Sequence, residues 1–242
     1  MVEPILLTTV RVLTFSESQP LTNATGFFFE NQDRLFLVTS RHVVFDPATG
    51  HFPDRIQIGL HVDPDNVCTL TNFSIPLYSH GANVWREELD RDGAVDIAVI
   101  EIDRDALPSP VVYHSFTPAQ IPTRYDQIGV GSALLVVGFP LGFHDTLHHM
   151  PIVRHATIAS SFGLRFQGWP YFLTDARTHR GSSGAPVVMR SGEAGVSLSS
   201  PWMLLGIHSA TLDLQSRDAG EDEALGLNCA WYSDALLRLT QP

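Results

Sequence analysis

Short apolar runs rich in Val, Ile, Leu and Phe recur along the chain, and Gly, Pro, Asn and Asp separate them. Runs of this kind predict β-strands rather than helices. Helical periodicity is weak until SDALLRLTQ near the end, where Ser233 is a candidate N-cap and Leu236, Leu237 and Leu239 lie near one face. About ten strands and one terminal helix predict an all-β fold. The predicted strands are ILLTTVRVL, GFFF, RLFLVTS, DRIQIGLHV, DIAVIEI, SALLVVGF, YFLTDA, APVVM, WMLLGIHSA and LNCAWY.

The stretch 107–126, LPSPVVYHSFTPAQIPTRYD, is rich in proline and has no regular pattern. It lies near the middle of the chain, between two groups of predicted strands of similar size. We therefore expect two β units, residues 1–115 and residues 116–242, with the terminal helix in the second unit.

Charge and composition exclude several classes of protein. The 242 residues include 26 Asp and Glu against 15 Lys and Arg, a formal net charge of −11. We expect no nucleic-acid partner, because binding to a phosphate backbone needs a basic surface. No apolar run approaches the roughly 18 residues that cross a bilayer, and the N-terminus lacks the features of a signal peptide. We therefore expect no membrane association, a cytoplasmic location, and separate buried thiols at Cys68 and Cys229.

Two polar residues lie beside apolar strands, where burial requires a partner. His42 ends the segment LFLVTSRH, and Asp96 opens DIAVIEI. A histidine N–H compensates a buried carboxylate, and the pair fixes the tautomer of the ring. Taken singly, each residue also fits a structural role, as a hydrogen-bonded core histidine or as a strand-start aspartate.

The segment RGSSGAPVV, residues 180–188, has the pattern of a turn that presents a nucleophile. Gly181 and Gly184 bracket Ser182 and Ser183. A serine nucleophile needs a general base and backbone N–H groups for the oxyanion, and glycines allow two amides to point into one small space. Alone, the pattern also fits an ordinary Gly/Ser turn. Its position after a candidate histidine and a candidate aspartate makes it a candidate site.

These segments together resemble the trypsin-like (chymotrypsin-fold) serine proteases, most closely the HtrA-type branch. The resemblance spans residues 26–239 and rests on FLVTSRHVV, DIAVIEID, VVGFPLG, TDARTHRGSSGAPV and LNCAWYSDALL. It implies two six-stranded antiparallel β-barrels with the active site in the cleft between them. No room is left after the terminal helix for a PDZ domain, so we expect none.

The resemblance assigns a role to each matching residue. It implies that Ser183 is the nucleophile, His42 the general base and Asp96 the residue that orients the histidine. The backbone N–H groups of Gly181 and Ser183 match the oxyanion hole. In secreted trypsins an aspartate precedes the nucleophile and pairs with the new N-terminus after activation. This chain has Ser182 at that position. We therefore expect no activation by that route.

Four residues match the walls of the pocket that selects the substrate side chain. Glutamyl endopeptidases and picornavirus-type cysteine proteases carry a Thr and a Gly-x-His at the positions of Thr178 and His208, and they cleave after Glu or Gln. A Thr hydroxyl and an imidazole N–H can both donate to a side-chain carbonyl. Ser209 and Thr211 are expected to line the same pocket. Thr211 stands where the family usually has glycine, so a small pocket for small residues stays open as an alternative.

The segment GFHDTLHHMPIVRH contains His144, His148, His149 and His155. Paired imidazoles suggest zinc, but the segment lacks a nearby cysteine or an H-E-x-x-H motif. An exposed loop near the cleft is favoured, and we expect neither a metal nor a cofactor.

The leading hypothesis is a serine endopeptidase whose partner is a protein or peptide substrate. The alternatives are a catalytically silent binding module on the same fold and an esterase-type acyl hydrolase. We also expect that the protein acts within a larger intracellular complex, which the sequence does not name.

Overall fold

The computed structural model describes residues 2–91, 93–192, 201–211 and 226–242, with Ala210 and Thr211 described by their backbone only. Regular structure in these ranges is mostly strand. The strands are β1 Thr9–Ser16, β2 Gln19–Asn31, β3 Arg34–Thr39, β4 Arg55–His61, β5 Leu70–Pro76, β6 Tyr78–Ser79, β7 Ala82–Asn83, β8 Trp85–Arg86, β9 Leu89–Asp90, β10 Gly93–Ala94, β11 Ala98–Ile102, β12 Ala133–Gly138, β13 Ile152–Thr157, β14 Tyr171–Thr174, β15 Pro186–Arg190, β16 Trp202–Thr211 and β17 Asn228–Tyr232. The helices are α1 Arg41–Val44 and α2 Ala235–Leu239, with 3₁₀ turns at Pro4–Leu7, Arg104–Ala106, Pro118–Gln120 and Pro140–Gly142.

The first sheet is antiparallel and has the strand order β5-β4-β1-β2-β3-β11-β8. Its edges come together because the N–H of Val84, just before β8, donates to the carbonyl of Leu77, just after β5, at 3.0 Å. The sheet has one strand more than the six that the resemblance implies. The extra strand, β8, forms because Trp85 is buried against the rings of Phe45 and Tyr78.

The second sheet has six antiparallel strands in the order β13-β12-β15-β16-β17-β14. A bridge between Ile158 and Thr174 joins its two edges, and the N–H of Ala159 donates to the carbonyl of Leu173 at 2.8 Å. These contacts close the sheet into a barrel, which removes its free edges.

A shared apolar core joins the two sheets. Side chains alternate across β2, so Phe27 and Phe29 face this shared core while Phe28 faces the interior of the first barrel. Leu204 and Trp231 reach the shared core from the second sheet. Buried apolar side chains therefore hold the two sheets together.

The predicted all-β fold is confirmed, with two local differences. Ser233 does not cap the terminal helix with its side chain; Asp234 holds the cap position, and the buried Ser233 hydroxyl donates to the carbonyl of Leu204 at 2.7 Å. Both cysteines are free, but Cys68 is only half-buried, whereas Cys229 is buried. Among the described residues, the helices are all too short or too polar to span a bilayer.

Candidate active site

His42 and Asp96 form a hydrogen-bonded pair in the first barrel. His42 lies in α1, the single helical turn that follows β3, and Asp96 lies just before β11, the neighbour of β3 in the sheet. The Nδ1–H of His42 donates to Oδ2 of Asp96 at 2.7 Å, and the backbone N–H of His42 donates to Oδ1 at 2.8 Å. The carboxylate therefore fixes both the position and the tautomer of the imidazole, which leaves Nε2 as the proton acceptor.

The pKa of His42 is raised above its ordinary value by this arrangement. Burial alone would lower the pKa of His42, but the hydrogen bond and the charge of Asp96 outweigh it. The carboxylate of Asp46, which lines the same cleft, adds a smaller contribution in the same direction. The site thus stabilises the imidazolium, the form that a general base adopts during the reaction.

Two glycines with positive φ shape the turn that carries Ser183. Gly181 has φ +93° and Gly184 has φ +84°, a region that side chains rarely adopt. A Cβ at Gly181 would lie 2.5 Å from the carbonyl oxygen of Phe139, and one at Gly184 would lie 2.1 Å from that of Thr25. Glycine is therefore required at both positions by conformation and by space.

Thr25 of β2 binds this turn from the opposite barrel. Its hydroxyl donates to the carbonyl of Gly181 at 2.7 Å and accepts from the N–H of Phe139 at 3.0 Å. Its backbone N–H donates to the carbonyl of Ser183 at 2.9 Å. A fully buried residue of the first barrel thus holds the turn that carries Ser183 in the second.

The peptide between Arg180 and Gly181 is held by a further contact. The N–H of Leu141 donates to the carbonyl of Arg180 at 2.5 Å. Because the C=O and N–H of a trans peptide point to opposite sides, the N–H of Gly181 faces away from Leu141. In the part of the chain that the structure describes, neither this N–H nor that of Ser183 has an acceptor. Both donors are thus available to an oxyanion.

Ser183 and His42 line one cleft of about 800 Å³. The hydroxyl of Ser183 donates to the carbonyl of Ser209 at 3.1 Å, and no hydrogen bond to His42 is present among the described residues. Serine hydroxyls in unliganded sites are often poorly aligned with their base. The hydroxyl of Ser183 must therefore leave the carbonyl of Ser209 before it can donate to His42.

Ser209, a predicted pocket residue, bonds with two of the predicted triad residues. Its hydroxyl donates to Oδ2 of Asp96, the oxygen that His42 also contacts, and its carbonyl accepts from Ser183. These hydrogen bonds join β16 to Asp96 and Ser183, and the place of Ser209 in the substrate pocket stays a prediction.

The predicted pocket residue Thr178 bonds with a residue that sequence analysis missed. The hydroxyl of Thr178 donates to Oδ1 of Asn228 at 2.7 Å, and Nδ2 of Asn228 donates to the carbonyl of Ala176 at 2.5 Å. Asn228 is buried and begins β17, which pairs with the strand of His208. The backbone of Thr211 is opposite Asn228, and the Thr211 side chain lies outside the described residues.

His208 is buried, and its backbone bonds with residues that follow Ser183. Its carbonyl accepts from the N–H of Gly184, and its N–H donates to the carbonyl of Ala185, both at 2.8 Å. Burial lowers the pKa of His208 to about 4, and the nearby His42 acts in the same direction. The imidazole is therefore neutral near pH 7, and its Nδ1 has no hydrogen-bond partner among the described residues.

The histidines of the loop after β12 do not form one cluster. His144 and His149 have stacked rings 6.2 Å apart, whereas His148 is exposed and paired with Asp145. His155 lies in β13 and lines a different cleft from that of His42 and Ser183. The described residues contain no group of three or more His, Cys, Asp or Glu that could hold a metal ion.

A family model of the trypsin-like peptidase domain matches residues 24–194, the range that contains His42, Asp96 and Ser183. The chain belongs to the trypsin-like peptidase family. No curated protein is found to match it by sequence. The family membership confirms the resemblance that the sequence motifs indicated.

The trypsin-like fold is also found among solved structures. The serine endoprotease from Yersinia pestis is similar with a TM-score of 0.54 and 16% identity. The match covers 97% of this chain but 62% of that one, so the chain spans less than two thirds of that protein's length. At this identity the likeness concerns the fold alone.

Three residues of this trypsin-like site could not be identified from the sequence. Thr25 and Leu141 contact the turn that carries Ser183, and Asn228 contacts Thr178, but each is an ordinary residue of a strand, a 3₁₀ turn or a strand start. A buried asparagine that opens a strand is the only one with a sequence signal, since such a side chain needs hydrogen-bond partners.

Proposed function

We propose that this member of the trypsin-like family is a serine endopeptidase that acts on protein or peptide substrates. The observation that carries the proposal is the hydrogen-bonded pair of His42 and Asp96 on the same cleft as Ser183. The unoccupied N–H groups of Gly181 and Ser183 support it, because they supply the charge stabilisation that acyl transfer needs.

In this mechanism the Ser183 oxygen attacks the scissile carbonyl while Nε2 of His42 takes the hydroxyl proton. The resulting oxyanion accepts from the N–H groups of Gly181 and Ser183. His42 then gives the proton to the leaving amine as the C–N bond breaks, which leaves an acyl-enzyme. Water, deprotonated by His42, hydrolyses the ester and regenerates Ser183. Asp96 stays ionised and stabilises the imidazolium in both steps.

The adjacent serines provide a matched test of this proposal. A fluorophosphonate probe should label the wild-type protein and the Ser182→Ala variant, and it should not label Ser183→Ala. Hydrolysis of casein or a peptide library should follow the same pattern. A folded wild-type protein without labelling would favour the silent binding module, and ester hydrolysis without peptide hydrolysis would favour the acyl hydrolase.

We further propose that the pocket of Thr178 and His208 accepts Gln or Glu before the scissile bond. The buried imidazole of His208 is neutral and has an unpartnered Nδ1, so it can serve a polar side chain. Thr178 and Asn228 add polar groups, which are held by the hydrogen bond from the Thr178 hydroxyl to Oδ1 of Asn228. Burying a carboxylate among neutral groups costs more than burying a carboxamide, so Gln should be preferred over Glu.

Peptides that differ only before the scissile bond test this pocket. We expect kcat/KM for Gln to exceed that for Glu by about tenfold at neutral pH, a difference of about 1.4 kcal/mol in transition-state binding. His208→Ala should remove the preference, and Ser182→Ala should keep it. Cleavage mainly after Ala, Val or Leu would contradict the polar pocket and favour the small-residue alternative.

A further inference from the structure

A second cavity, of about 100 Å³, lies where the first barrel meets the loop after β12. It is lined by Arg11 of β1, His61 of β4, Asn72 of β5, and His144 and His149 of the loop. We propose that this cavity, the Arg11 cavity, is a binding site for a small oxyanion such as sulfate or phosphate. Its volume fits a tetrahedral anion and is below the size of sites for drug-sized ligands.

Arg11 supplies an uncompensated positive charge to the Arg11 cavity. Among the described residues the guanidinium makes no ion pair and no hydrogen bond, and its Nε is buried. The residues that line the cavity, all of them described, include no Asp or Glu. An arginine without an acidic partner is unusual in a chain of net charge −11. An oxyanion matches the planar donor fork of arginine and would supply the missing partner.

Two imidazoles of the Arg11 cavity are fixed in one tautomer. Nδ1 of His61 lies 2.9 Å from the carbonyl of Val67, and Nδ1 of His144 lies 2.6 Å from the carbonyl of Gly142. A carbonyl only accepts, so both Nδ1 atoms carry the proton and the second proton must add at Nε2. Protonation at Nε2 therefore adds a donor and a positive charge, and an anion in the cavity would favour it.

A metal ion is a poorer occupant of the Arg11 cavity. Neutral imidazoles with fixed Nδ1–H groups are typical metal ligands, but the charge of Arg11 repels a divalent cation. The cavity also lacks a carboxylate that would offset this repulsion. The described residues form no cluster that could hold a metal ion.

Few other charged groups lie near the Arg11 cavity. On the loop, Asp145 is paired with the exposed His148, which with nearby backbone N–H groups holds the pKa of Asp145 at about 2. After β4, the carboxylate of Asp63 accepts from backbone N–H groups of its own turn. The residues that β5 contributes to the cavity are not titratable. Burial lowers the pKa of His61, and the charge of His149 lowers it further. An anion in the cavity would favour the protonated imidazole, so anion binding should be coupled to proton uptake.

The Arg11 cavity is connected to the peptide that presents the Gly181 donor. A Cβ at Gly142 would lie 3.0 Å from Nη2 of Arg11, so the guanidinium packs against this glycine. The preceding residue, Leu141, donates to the carbonyl of Arg180. An anion that holds Arg11 and His144 should therefore steady this loop and raise kcat, a consequence that rests on the proposed peptidase function.

Calorimetric titration with sulfate, at matched ionic strength, tests the site. Sulfate keeps its charge between about pH 6 and pH 7.5, so any pH dependence comes from the protein. We expect binding that is at least about threefold tighter at the lower pH, since at least one imidazole gains a proton. Arg11→Gln should weaken binding at least about tenfold, Arg11→Lys should retain part of it, and Arg124→Gln, at an exposed surface ion pair, should leave it unchanged.

Several results would overturn the proposal. One is the absence of sulfate binding at either pH. Another is sulfate binding by Arg11→Gln that equals wild type, when the circular dichroism of the variant is native. A third is tight binding of Zn²⁺ in place of sulfate. Binding without an increase of kcat in wild type would refute the link to Gly181. Because the titration does not depend on catalysis, an inactive protein would refute the proposed function and leave the binding result decisive.

Discussion

Replacing Thr25 with valine would test whether the first barrel holds the oxyanion donors in place. Valine keeps the shape of the side chain but removes the hydroxyl. The carbonyl of Gly181 then loses a donor at 2.7 Å, and the N–H of Phe139 loses an acceptor at 3.0 Å. Thr25, which binds both groups, is fully buried. Water therefore cannot readily replace its hydroxyl.

The size of the effect follows from these two contacts. Each buried polar group left without a partner costs about 1–3 kcal/mol, so the free energy of unfolding should fall by about 2–6 kcal/mol. Gly181 would also lose the hydrogen bond that orients it. Loss of one oxyanion donor lowers kcat by about 10²–10³-fold, so we expect a decrease that approaches this range, with KM changed by no more than about threefold.

The measurement is peptide hydrolysis at a temperature where circular dichroism shows that the variant is folded. Thr25→Ser is the matched control, because it keeps the hydroxyl and should retain most of kcat. If Thr25→Val lowered the melting temperature but left kcat within about threefold of wild type, the contact would be structural only. The argument that Thr25 positions the oxyanion donors would then be refuted.

Four further predictions concern the candidate site. Asp96→Asn should lower kcat by about 10⁴-fold, because it no longer favours the required tautomer and imidazolium of His42; a loss below about tenfold would contradict this. The pKa of His42 is raised in the folded protein. The stabilisation that the protonated His42 provides is therefore complete below about pH 6.5 and is lost as the pH rises through the raised pKa. Urea unfolding should show this pH dependence in wild type and not in Asp96→Asn. Asp46→Asn should shift the inflection of kcat/KM with pH to lower pH, because its charge raises the pKa of His42; an unchanged inflection would rule out this contribution. Gly184→Ala should give little folded protein, since a Cβ would lie 2.1 Å from the carbonyl oxygen of Thr25 at φ +84°; native expression and circular dichroism would contradict the steric argument.

The sequence motifs predicted the fold class because they repeat a simple physical pattern. Alternating apolar residues in β2 and β3 face two cores, and turn residues separate the strands. The same reasoning failed at Ser233, where a serine before an apolar helix is a typical cap. Its hydroxyl donates instead to Leu204 of a distant strand, a contact that no local pattern could indicate.

The sequence by itself determined which residues can carry chemistry and the order in which they occur. His42, Asp96 and Ser183 lie in motifs whose local composition reveals them, because each combines a reactive or charged group with a strand boundary or a glycine turn. Gly181 and Gly184 are likewise required by the backbone of the turn itself.

Only the tertiary structure decided how these residues are oriented and what surrounds them. Thr25 lies 156 residues before Gly181 along the chain, yet it donates to the carbonyl of that glycine. The hydroxyl of Ser209 donates to Asp96, and Thr178 donates to Asn228. Hydrogen bonds between distant strands depend on how two barrels pack, and packing is a property of the whole chain rather than of any segment.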